Sequence, residues 1–247
     1  MRLNSDIVII SPHRAVYIES IDAIVIADLH LGFEGIAAEH GIFIPKIQFK
    51  KEMEELKEIL KKVKAEKIII NGDVKHEFSE TGHHEFREVS RLYTFLKENF
   101  DRVIQIKGNH DNFIIYVCRK YGVELYDNLQ LGDYFFLHGH EDLKLNSIMT
   151  SNIITGHEHP AISLYDEVGG KEKVDCFLYG RIDSKKFLML PAFSYFAQGS
   201  EVNIIPENEF LSPLLKRADF REIKVIGVSR ETGVLDFGTL DKLRKIS

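Results

Sequence analysis

Five short segments carry carboxylate, amide and imidazole side chains at spacings that suit metal binding. They are Asp28-Leu29-His30, Gly72-Asp73, Gly108-Asn109-His110-Asp111, His138-Gly139-His140 and Gly156-His157-Glu158-His159. In the first, the carboxylate and the imidazole are two residues apart, so an extended chain points both to the same side and can offer both to one ion. Each segment alone is a weak signal, because Asp-x-His is common by chance. The Gly108–Asp111 stretch alone could equally cap a helix that begins near Asn112.

Each of these segments directly follows an apolar run that predicts a buried β-strand. The five runs are Ile21–Ala27, Lys67–Ile70, Arg102–Ile106, Tyr134–Leu137 and Asn152–Thr155. Ligands of α/β proteins usually bind at the carboxyl ends of the strands. We therefore expect the five segments to meet at one edge of the fold.

Helices and further strands must hold these segments in place. Apolar residues at helical spacing predict helices from Pro45 to about Lys64, over Thr81–Asn99 and over Asn112–Tyr121. We expect Phe33–Pro45 to be a loop with a short helix. Asp6–Ile10 and Ala15–Glu19 predict a hairpin around Ser11-Pro12-His13-Arg14. After Pro160 the pattern predicts a second sheet, with strands at Ala161–Tyr165, Val174–Arg181, Lys186–Leu190 and Val202–Ile205, and two more between Glu222 and Gly238.

Composition limits the functional classes. The chain has 247 residues, of which 44% are hydrophobic and 28% charged, and its net charge is −6. The composition has no overall excess of basic residues of the kind that binds nucleic acid, although bound metal ions could still attract a phosphate locally. The apolar runs are too short to cross a membrane, and Cys118 and Cys176 have no metal or redox spacing, so we expect a cytoplasmic protein with reduced thiols. No linker or repeat is evident, which predicts a single domain over residues 1–247.

Seven side chains at the strand ends form a candidate ligand set without a thiolate: Asp28, His30, Asp73, Asn109, His138, His157 and His159. This mixture suits Mn, Fe, Co, Ni or Zn without singling one out. Seven protein ligands are too many for one ion that keeps an open position, and they suit two ions with a bridging carboxylate. Two ions about 3.5–4 Å apart can stabilise the attacking and the leaving oxygen in displacement at phosphorus.

The five motifs, in this order, resemble those of the calcineurin-like metallophosphoesterase superfamily. The resemblance implies an α/β four-layer αββα sandwich, with two central mixed β-sheets flanked by helices. It implies a first metal held by Asp28, His30, Asp73 and His159, and a second held by Asp73, Asn109, His138 and His157, with Asp73 as the bridge. His110 would assist the leaving oxygen, and Asp111 would orient His110 through a hydrogen bond. His140 would be a substrate contact or would support a ligand.

Three sequence segments resemble more specifically those of an ICC-like subgroup found in archaea. The bacterial relatives of this subgroup include phosphoesterases associated with DNA ligases. The three segments are Ala27–Glu34, Gly72–His76 and Gly156–Pro160. The resemblance implies a phosphodiesterase that attacks nucleotides or short nucleic acids with a metal-bound hydroxide, using two divalent ions. We expect Mn²⁺, while Ni²⁺, Fe²⁺, Co²⁺ and Zn²⁺ are also compatible.

Several alternatives stay open. The chain could be a phosphomonoesterase or a DNA or RNA end-processing nuclease; a non-catalytic metal-binding scaffold or an amide hydrolase is less favoured, because His110 and every ligand are present. The acidic charge and the lack of a recognisable DNA-binding extension favour a small or single-stranded phosphodiester over polymeric DNA. The expected partner is therefore a phosphodiester or nucleotide, with nucleic acid as an open option and no membrane; the sequence does not predict an oligomeric state.

Some residues near the motifs have more than one interpretation. Phe193, Tyr195 and Phe196 could stack on a nucleobase, although so dense an aromatic group near Pro191 is more typical of a core. We expect Glu34 and His76 at the surface rather than at the rim of the site. Arg181 and Lys144 are candidates for binding phosphate, although less favoured than plain surface positions.

Overall fold

The first sheet brings three of the five motif-bearing strands side by side. The computed structural model describes residues 1–78, 82–166 and 168–246, except for the side chain of Asn146. The first sheet contains β1 (Ile7–Ile9), β2 (Val16–Ile18), β3 (Ala23–Ile26), β4 (Lys67–Asn71), β5 (Arg102–Ile106) and β6 (Glu124–Tyr126), in that spatial order. The first three strands pair antiparallel, and β3 to β6 pair parallel. The carboxyl ends of β3, β4 and β5 therefore lie at the same edge.

The second sheet supplies the other two motif-bearing strands. It contains β7 (Asn128–Leu131), β8 (Tyr134–Leu137), β9 (Asn152–Thr155), β10 (Pro160–Tyr165), β11 (Lys171–Ile182), β12 (Lys185–Met189), β13 (Ser200–Glu201), β14 (Ile223–Ser229) and β15 (Gly233–Thr239). The spatial order is β13-β10-β11-β12-β9-β8-β7, and β14 pairs with both β11 and β15. Strands β8 and β9 are parallel neighbours, so their carboxyl ends also meet.

Helices cover the outer faces of both sheets, which confirms the predicted four-layer αββα arrangement. The helices are α1 (Phe33–Glu39), α2 (Gln48–Lys62), α3 (His83–Asn99), α4 (Ile114–Tyr121), α5 (Pro213–Lys216) and α6 (Leu240–Ile246). The apolar faces of α2, α3 and α4 pack on the first sheet, while α5 and α6 pack on the second. Between the sheets, side chains such as Val25 and Ile69 meet Phe136 and Phe177 with no solvent exposure. This burial fixes the two sets of strand ends relative to each other.

Several predicted boundaries differ from the structure. Helix α2 begins at Gln48 rather than Pro45, because the buried Glu34 carboxylate accepts hydrogen bonds from the N–H groups of Ile47 and Gln48. Helix α4 begins at Ile114, since the N-cap residue Phe113 is left-handed with a φ of 64°. The predicted first residue of α3, Thr81, and the last residue of the predicted domain, Ser247, lie outside the described residues.

The predicted strand over Val202–Ile205 is wrong. Strand pairing ends at Glu201, whose carbonyl accepts hydrogen bonds from the N–H groups of Ile204 and Ile205 and turns the chain. Cys118 and Cys176 are both buried free thiols. Within the described residues, no helix has both the length and the apolar character needed to cross a bilayer.

Candidate metal centre

The carboxyl ends of β3, β4, β5, β8 and β9 bring the seven predicted ligands together. One group contains Asp28, His30 and His159, and a second contains Asp73, His138 and His157; within each, the possible ligand atoms lie within 4.8 Å of one another. Asn109 joins the second group, because its Oδ1 lies 3.0 Å from His138 Nε2. Asp73 reaches both groups: its Oδ2 lies 3.9 Å from His30 Nε2 and 3.1 Å from His138 Nε2. A third possible group, His30, His76 and His110, shares His30 with the first, so the assignment of the ligands to two ions stays a prediction.

The backbone at these positions is unusual. Asp28, His30, Asp73, His157 and His159 have φ values of 56°, 49°, 47°, 70° and 50° and are five of the eight non-glycine residues with positive φ in the described chain. Left-handed conformations of non-glycine residues cost on the order of 1–3 kcal/mol each and cluster at functional sites. Such residues turn the chain sharply at the strand end, so that two side chains two residues apart can both face the site.

Glycines allow the strand ends to approach closely. A Cβ on Gly108 would lie 2.0 Å from Asp73 Oδ1 and 2.5 Å from the Asp73 backbone nitrogen. A Cβ on Gly156 would lie 2.5 Å from Asp28 Oδ2. In each case the glycine of one motif makes room for the carboxylate of another, which explains why a glycine precedes Asn109 and His157.

The donor atoms fit divalent metal ions. Two ligands about 2.1 Å from one ion, at angles of about 90–110°, lie about 3.0–3.4 Å apart. The Nε2 atoms of His30 and His159 lie 3.2 Å apart, and His138 Nε2 lies 3.1 Å from Asp73 Oδ2. Asp28 Oδ1 is buried and accepts no hydrogen bond, although His159 Nε2 and His138 Nδ1 lie 3.5 Å and 3.6 Å from it. An orphaned carboxylate oxygen and facing imidazole nitrogens are what a cation between them would satisfy.

The electrostatics of the site are those of buried, tightly spaced opposite charges. Burial opposes protonation of His138, but Asp73 and Asp28 outweigh it and raise the pKa of His138 to about 9. Burial, together with the charge of His138, lowers the pKa of His157 to about 4. Burial opposes ionisation of Asp73, yet the neighbouring histidines hold its pKa well below the usual range. Because a metal binds neutral imidazole, an ion held by His138 would have to displace the proton from this ring.

The predicted hydrogen bond from the His110 imidazole to the Asp111 carboxylate is wrong. Asp111 is fully buried, and its carboxylate accepts hydrogen bonds from the N–H groups of Val74 at 2.9 Å and Gly108 at 2.9 Å. It therefore ties the turn after β4 to the turn after β5. His110 is oriented instead by the carbonyl oxygen of His76, which contacts its Nδ1. The Nε2 of His110 lies 3.9 Å from Asp73 Oδ2, at the edge of the second group.

A cavity of about 310 Å³ opens beside this centre. It is lined by His30, Phe33, His76, His110, His159, Ser194, Phe196, Ala197 and Gln198. His76 is half-buried in this lining, so its predicted surface position is wrong; Glu34, also predicted at the surface, is 2% exposed and caps α2. Phe33 and Phe196 reach the cavity from segments far apart in sequence, and only Phe196 carried a signal in the sequence, as one of a dense aromatic group.

The other predicted contacts lie around the centre or away from it. His140 is partly exposed, with its ring 5.3 Å from that of His138 and 5.9 Å from that of His157. Arg181 and Lys144 are exposed, and neither lines the cavity. His140 is thus adjacent to the second group of ligands, whereas the two basic residues have no place in the site.

Comparison with known proteins identifies the family. The family model of calcineurin-like phosphoesterases matches residues 22–180, which is more than half of the chain and includes every predicted ligand. The chain belongs to this family. It is therefore a calcineurin-like phosphoesterase, a family that uses divalent metal ions, and its grouped histidines and aspartates could hold them.

A solved structure shows that another protein has the fold of this calcineurin-like phosphoesterase. The nuclease MPE of Pseudomonas putida is 22% identical, with a TM-score of 0.63, and the match covers 92% of each chain. Vacuolar protein sorting 29 of Cryptosporidium parvum is 15% identical over 87% of this chain and 97% of its own, with a TM-score of 0.42. A comparison with curated protein sequences gives no match.

Proposed function

We propose that the chain is a binuclear-metal phosphodiesterase that hydrolyses the diester bonds of nucleotides or short nucleic acids. Asp28, His30, Asp73 and His159 would hold one divalent ion, and Asp73, Asn109, His138 and His157 the other. The observation that carries this proposal is the position of Asp73. Its carboxylate lies between the two groups, within 3.9 Å of an imidazole nitrogen on each side.

When bound, two such ions supply a nucleophile at neutral pH and neutralise charge on the phosphoryl oxygens. The chain's part is to hold the ligands rigidly. The N–H of His110 donates to Asp73 Oδ1 at 2.8 Å, and the N–H of His157 donates to Asp28 Oδ2 at 3.0 Å. Each of these bonds uses one carboxylate oxygen and leaves the other to face the site.

His110 is the proton-handling residue in this proposal. The carbonyl of His76 can only accept a hydrogen bond, so the Nδ1 of His110 carries a proton. The Nε2 atom then faces the centre, and in the protonated ring it can donate a proton to the leaving oxygen. Asp111 acts indirectly in this proposal, because its hydrogen bonds hold the turn from which His110 projects.

The cavity beside His110 favours a diester over a monoester. Among the described residues that line it, none is Lys or Arg, and the aromatic rings of Phe33 and Phe196 are prominent. A monoester dianion carries an extra negative charge that these residues do not neutralise. A diester carries one negative charge and a second organic group, for which an aromatic cavity provides a place.

The likeness to the nuclease MPE of Pseudomonas putida supports a second candidate, an end-processing nuclease. The shared fold is compatible with that activity. The net charge of −6 argues against a long contact with polymeric DNA. Both candidates predict diester hydrolysis, and they differ in the length of nucleic acid that is accepted.

A substrate panel tests the proposal. The protein is stripped with a chelator, reconstituted with Mn²⁺ and assayed on an aryl phosphodiester, an aryl phosphomonoester, 2′,3′- and 3′,5′-cyclic nucleotides and single-stranded DNA. We expect no activity after chelation, recovery with Mn²⁺, and faster hydrolysis of diesters than of monoesters. A metal-loaded protein that prefers the monoester contradicts the diesterase assignment, and one that hydrolyses no phosphoester contradicts the enzyme assignment.

A further inference from the structure

We propose that Phe33 and Phe196 form a stacking site for the nucleobase of the leaving nucleoside. This inference rests on the proposed phosphodiesterase function and adds to it the class of group that the cavity binds. We define the aromatic wall as the rings of Phe33 and Phe196 together.

The aromatic wall is continuous with the metal centre. It shares the cavity of about 310 Å³ with His30, His159 and His110. Pockets for small molecules usually measure about 300–1,000 Å³, so this one suits a single nucleotide unit rather than a duplex. Because His110 is the residue proposed to serve the leaving oxygen, a group in this cavity belongs to the leaving side of the diester.

The two rings present one apolar surface. Their centroids are 5.8 Å apart with an angle of 37° between the ring planes, and Phe33 also contacts the edge of His76 at 4.9 Å. Both rings are half-buried, whereas the neighbouring Phe193 is fully buried in the core and Tyr195 is 47% exposed. Of the three aromatic residues after Pro191, only Phe196 reaches the cavity.

Hydrogen bonds tie the aromatic wall to the metal-binding segment. The Ser194 hydroxyl accepts from the N–H groups of Phe196 at 3.3 Å and Ala197 at 3.1 Å. The N–H of Ser194 donates to the carbonyl of Asp28 at 3.0 Å. Gln48 Nε2 donates both to the Ser194 hydroxyl at 3.1 Å and to the carbonyl of His30 at 3.0 Å. One polar frame therefore fixes both the metal ligands and the ring of Phe196.

Phe33 is held just as closely from the other side. It follows Gly32, whose φ is 92° and whose missing Cβ would lie 2.1 Å from Glu85 Cγ on α3. The N–H of Gly32 donates to the Glu88 carboxylate at 3.0 Å. A pre-positioned ring loses little conformational entropy when a ligand stacks on it.

The chemistry of the cavity selects a flat, neutral, heteroaromatic group. Stacking on an aromatic side chain contributes about 1–3 kcal/mol per base and accepts any base. The exposed amide of Gln198 at the cavity offers one donor and one acceptor to a base edge. An alkyl or sugar substituent would fill the same space without using the ring faces.

Equilibrium binding tests the stacking site independently of turnover. The metal-loaded protein is titrated with thymidine 5′-monophosphate and with deoxyribose 5-phosphate, which lacks the base, while phosphate release is followed in the same samples. We expect the base to increase affinity between about 5-fold and 150-fold. Phe33→Leu and Phe196→Leu should each lower that ratio, and Phe196→Tyr should retain it. Tyr165→Leu, which removes a 56% exposed ring outside the cavity, is the matched control and should leave it unchanged.

Measurements of turnover test whether the stacked base belongs to the leaving nucleoside of the diester. Four dinucleoside monophosphates are compared, with thymine on both sugars, on either one or on neither, and product analysis identifies the leaving sugar. We expect kcat/KM to fall about 5-fold to 150-fold when the leaving sugar lacks its base. Phe196→Leu should slow only the substrates whose leaving sugar carries thymine, with metal content unchanged.

The outcomes separate the two proposals. If the wild type hydrolyses all four diesters equally well, or if Phe196→Leu slows them equally, the stacking site is overturned while the diesterase stands. Dependence on the base of the retained nucleoside overturns the placement on the leaving side. Base-dependent binding without hydrolysis of any diester overturns the diesterase function.

Discussion

Two clusters of buried polar side chains in this molecule use similar residues in opposite ways. Near the start of the chain, Glu55 of α2 lies 3.0 Å from Arg14 and 3.7 Å from Arg230, and His13 lies 3.5 Å from the same carboxylate. We call this the Glu55 cluster. In the metal centre, two imidazole nitrogens face each other at 3.2 Å, and a buried oxygen of Asp28 accepts no hydrogen bond, with His159 Nε2 3.5 Å away.

The difference shows how a structural cluster is distinguished from a binding site. The Glu55 carboxylate is neutralised by cations that the chain itself supplies, and its hydrogen bonds are made within the fold. The metal centre instead assembles acceptor atoms and imidazoles around a common point, at the cost of five left-handed backbone conformations. The convergence of several ligand atoms on one point is what indicates a ligand from outside, since unsatisfied buried nitrogens alone also occur at His13 in the Glu55 cluster.

The largest expected effect is on activity in the metal centre, where replacing His110 should slow turnover without destabilising the fold. His110→Ala should lower kcat about 10²-fold to 10⁴-fold, the usual contribution of a general acid or base. The free energy of unfolding and the content of bound metal should change little, since His110 is not in the ligand set. Steady-state kinetics, metal analysis and urea denaturation check this, and unchanged turnover would refute the assigned role.

The Glu55 cluster should behave in the opposite way. Burial opposes ionisation of Glu55, but His13 and Arg14 outweigh it and lower its pKa to about 2. The unfolded value is 4.5, so this carboxylate adds about 3 kcal/mol to the free energy of unfolding above pH 4.5. Glu55→Gln should lose about that amount at pH 7 with little change in kcat.

The lowered pKa of Glu55 also predicts how the difference in the free energy of unfolding between wild type and Glu55→Gln depends on pH. A lowered pKa in the folded state means that the stabilisation is lost as the pH falls from 4.5 towards 2, so wild type and Glu55→Gln should converge over that range. Urea denaturation at pH 7 and at pH 3 measures the free energy of unfolding of both proteins. Glu58→Gln, whose side chain is 49% exposed, is the control and should cost less than about 1 kcal/mol. A constant difference between pH 7 and pH 3 would rule out the ion pair as its source.

A smaller effect should come from the close approach of strand ends in the metal centre. Gly108→Ala places a methyl group 2.0 Å from Asp73 Oδ1, so the carboxylate has to move. We expect metal affinity to fall about 10-fold to 100-fold, the usual cost of disturbing the support of a ligand. Metal titration by calorimetry measures the loss. Gly82→Ala, where the nearest atom is 3.9 Å from the added Cβ, should bind metal normally, and equal losses in both variants would point to a general effect.

The parts of this molecule that were predictable from sequence are those that a short segment determines. Arg102–Ile106, Tyr134–Leu137 and Asn152–Thr155 are strands with the predicted bounds, because apolar runs bounded by turn residues leave little choice. The ligand-bearing motifs follow such strands directly, so parallel pairing brings them together. By contrast, α5 and α6 are only four and seven residues long and show too little helical periodicity to be recognised.

The parts that sequence did not predict depend on contacts between distant segments. Asp111 was expected to orient the adjacent His110, but its carboxylate instead accepts hydrogen bonds from N–H groups of two turns. The carbonyl that does orient His110 belongs to His76, which is 34 residues away along the chain. The aromatic wall likewise joins Phe33 to Phe196, and no local pattern connects them.

The most direct test of the central claim is a titration of the metal-free protein with Mn²⁺, with bound metal and hydrolysis of an aryl phosphodiester measured in the same samples. We predict two ions per chain and an activity that appears as the second ion binds. A spin-coupled signal should show that the ions lie about 3.5–4 Å apart. Asp73→Asn should remove the coupling and the activity together. A single bound ion, or two uncoupled ions in a fully active protein, would contradict the claim that Asp73 bridges a binuclear centre.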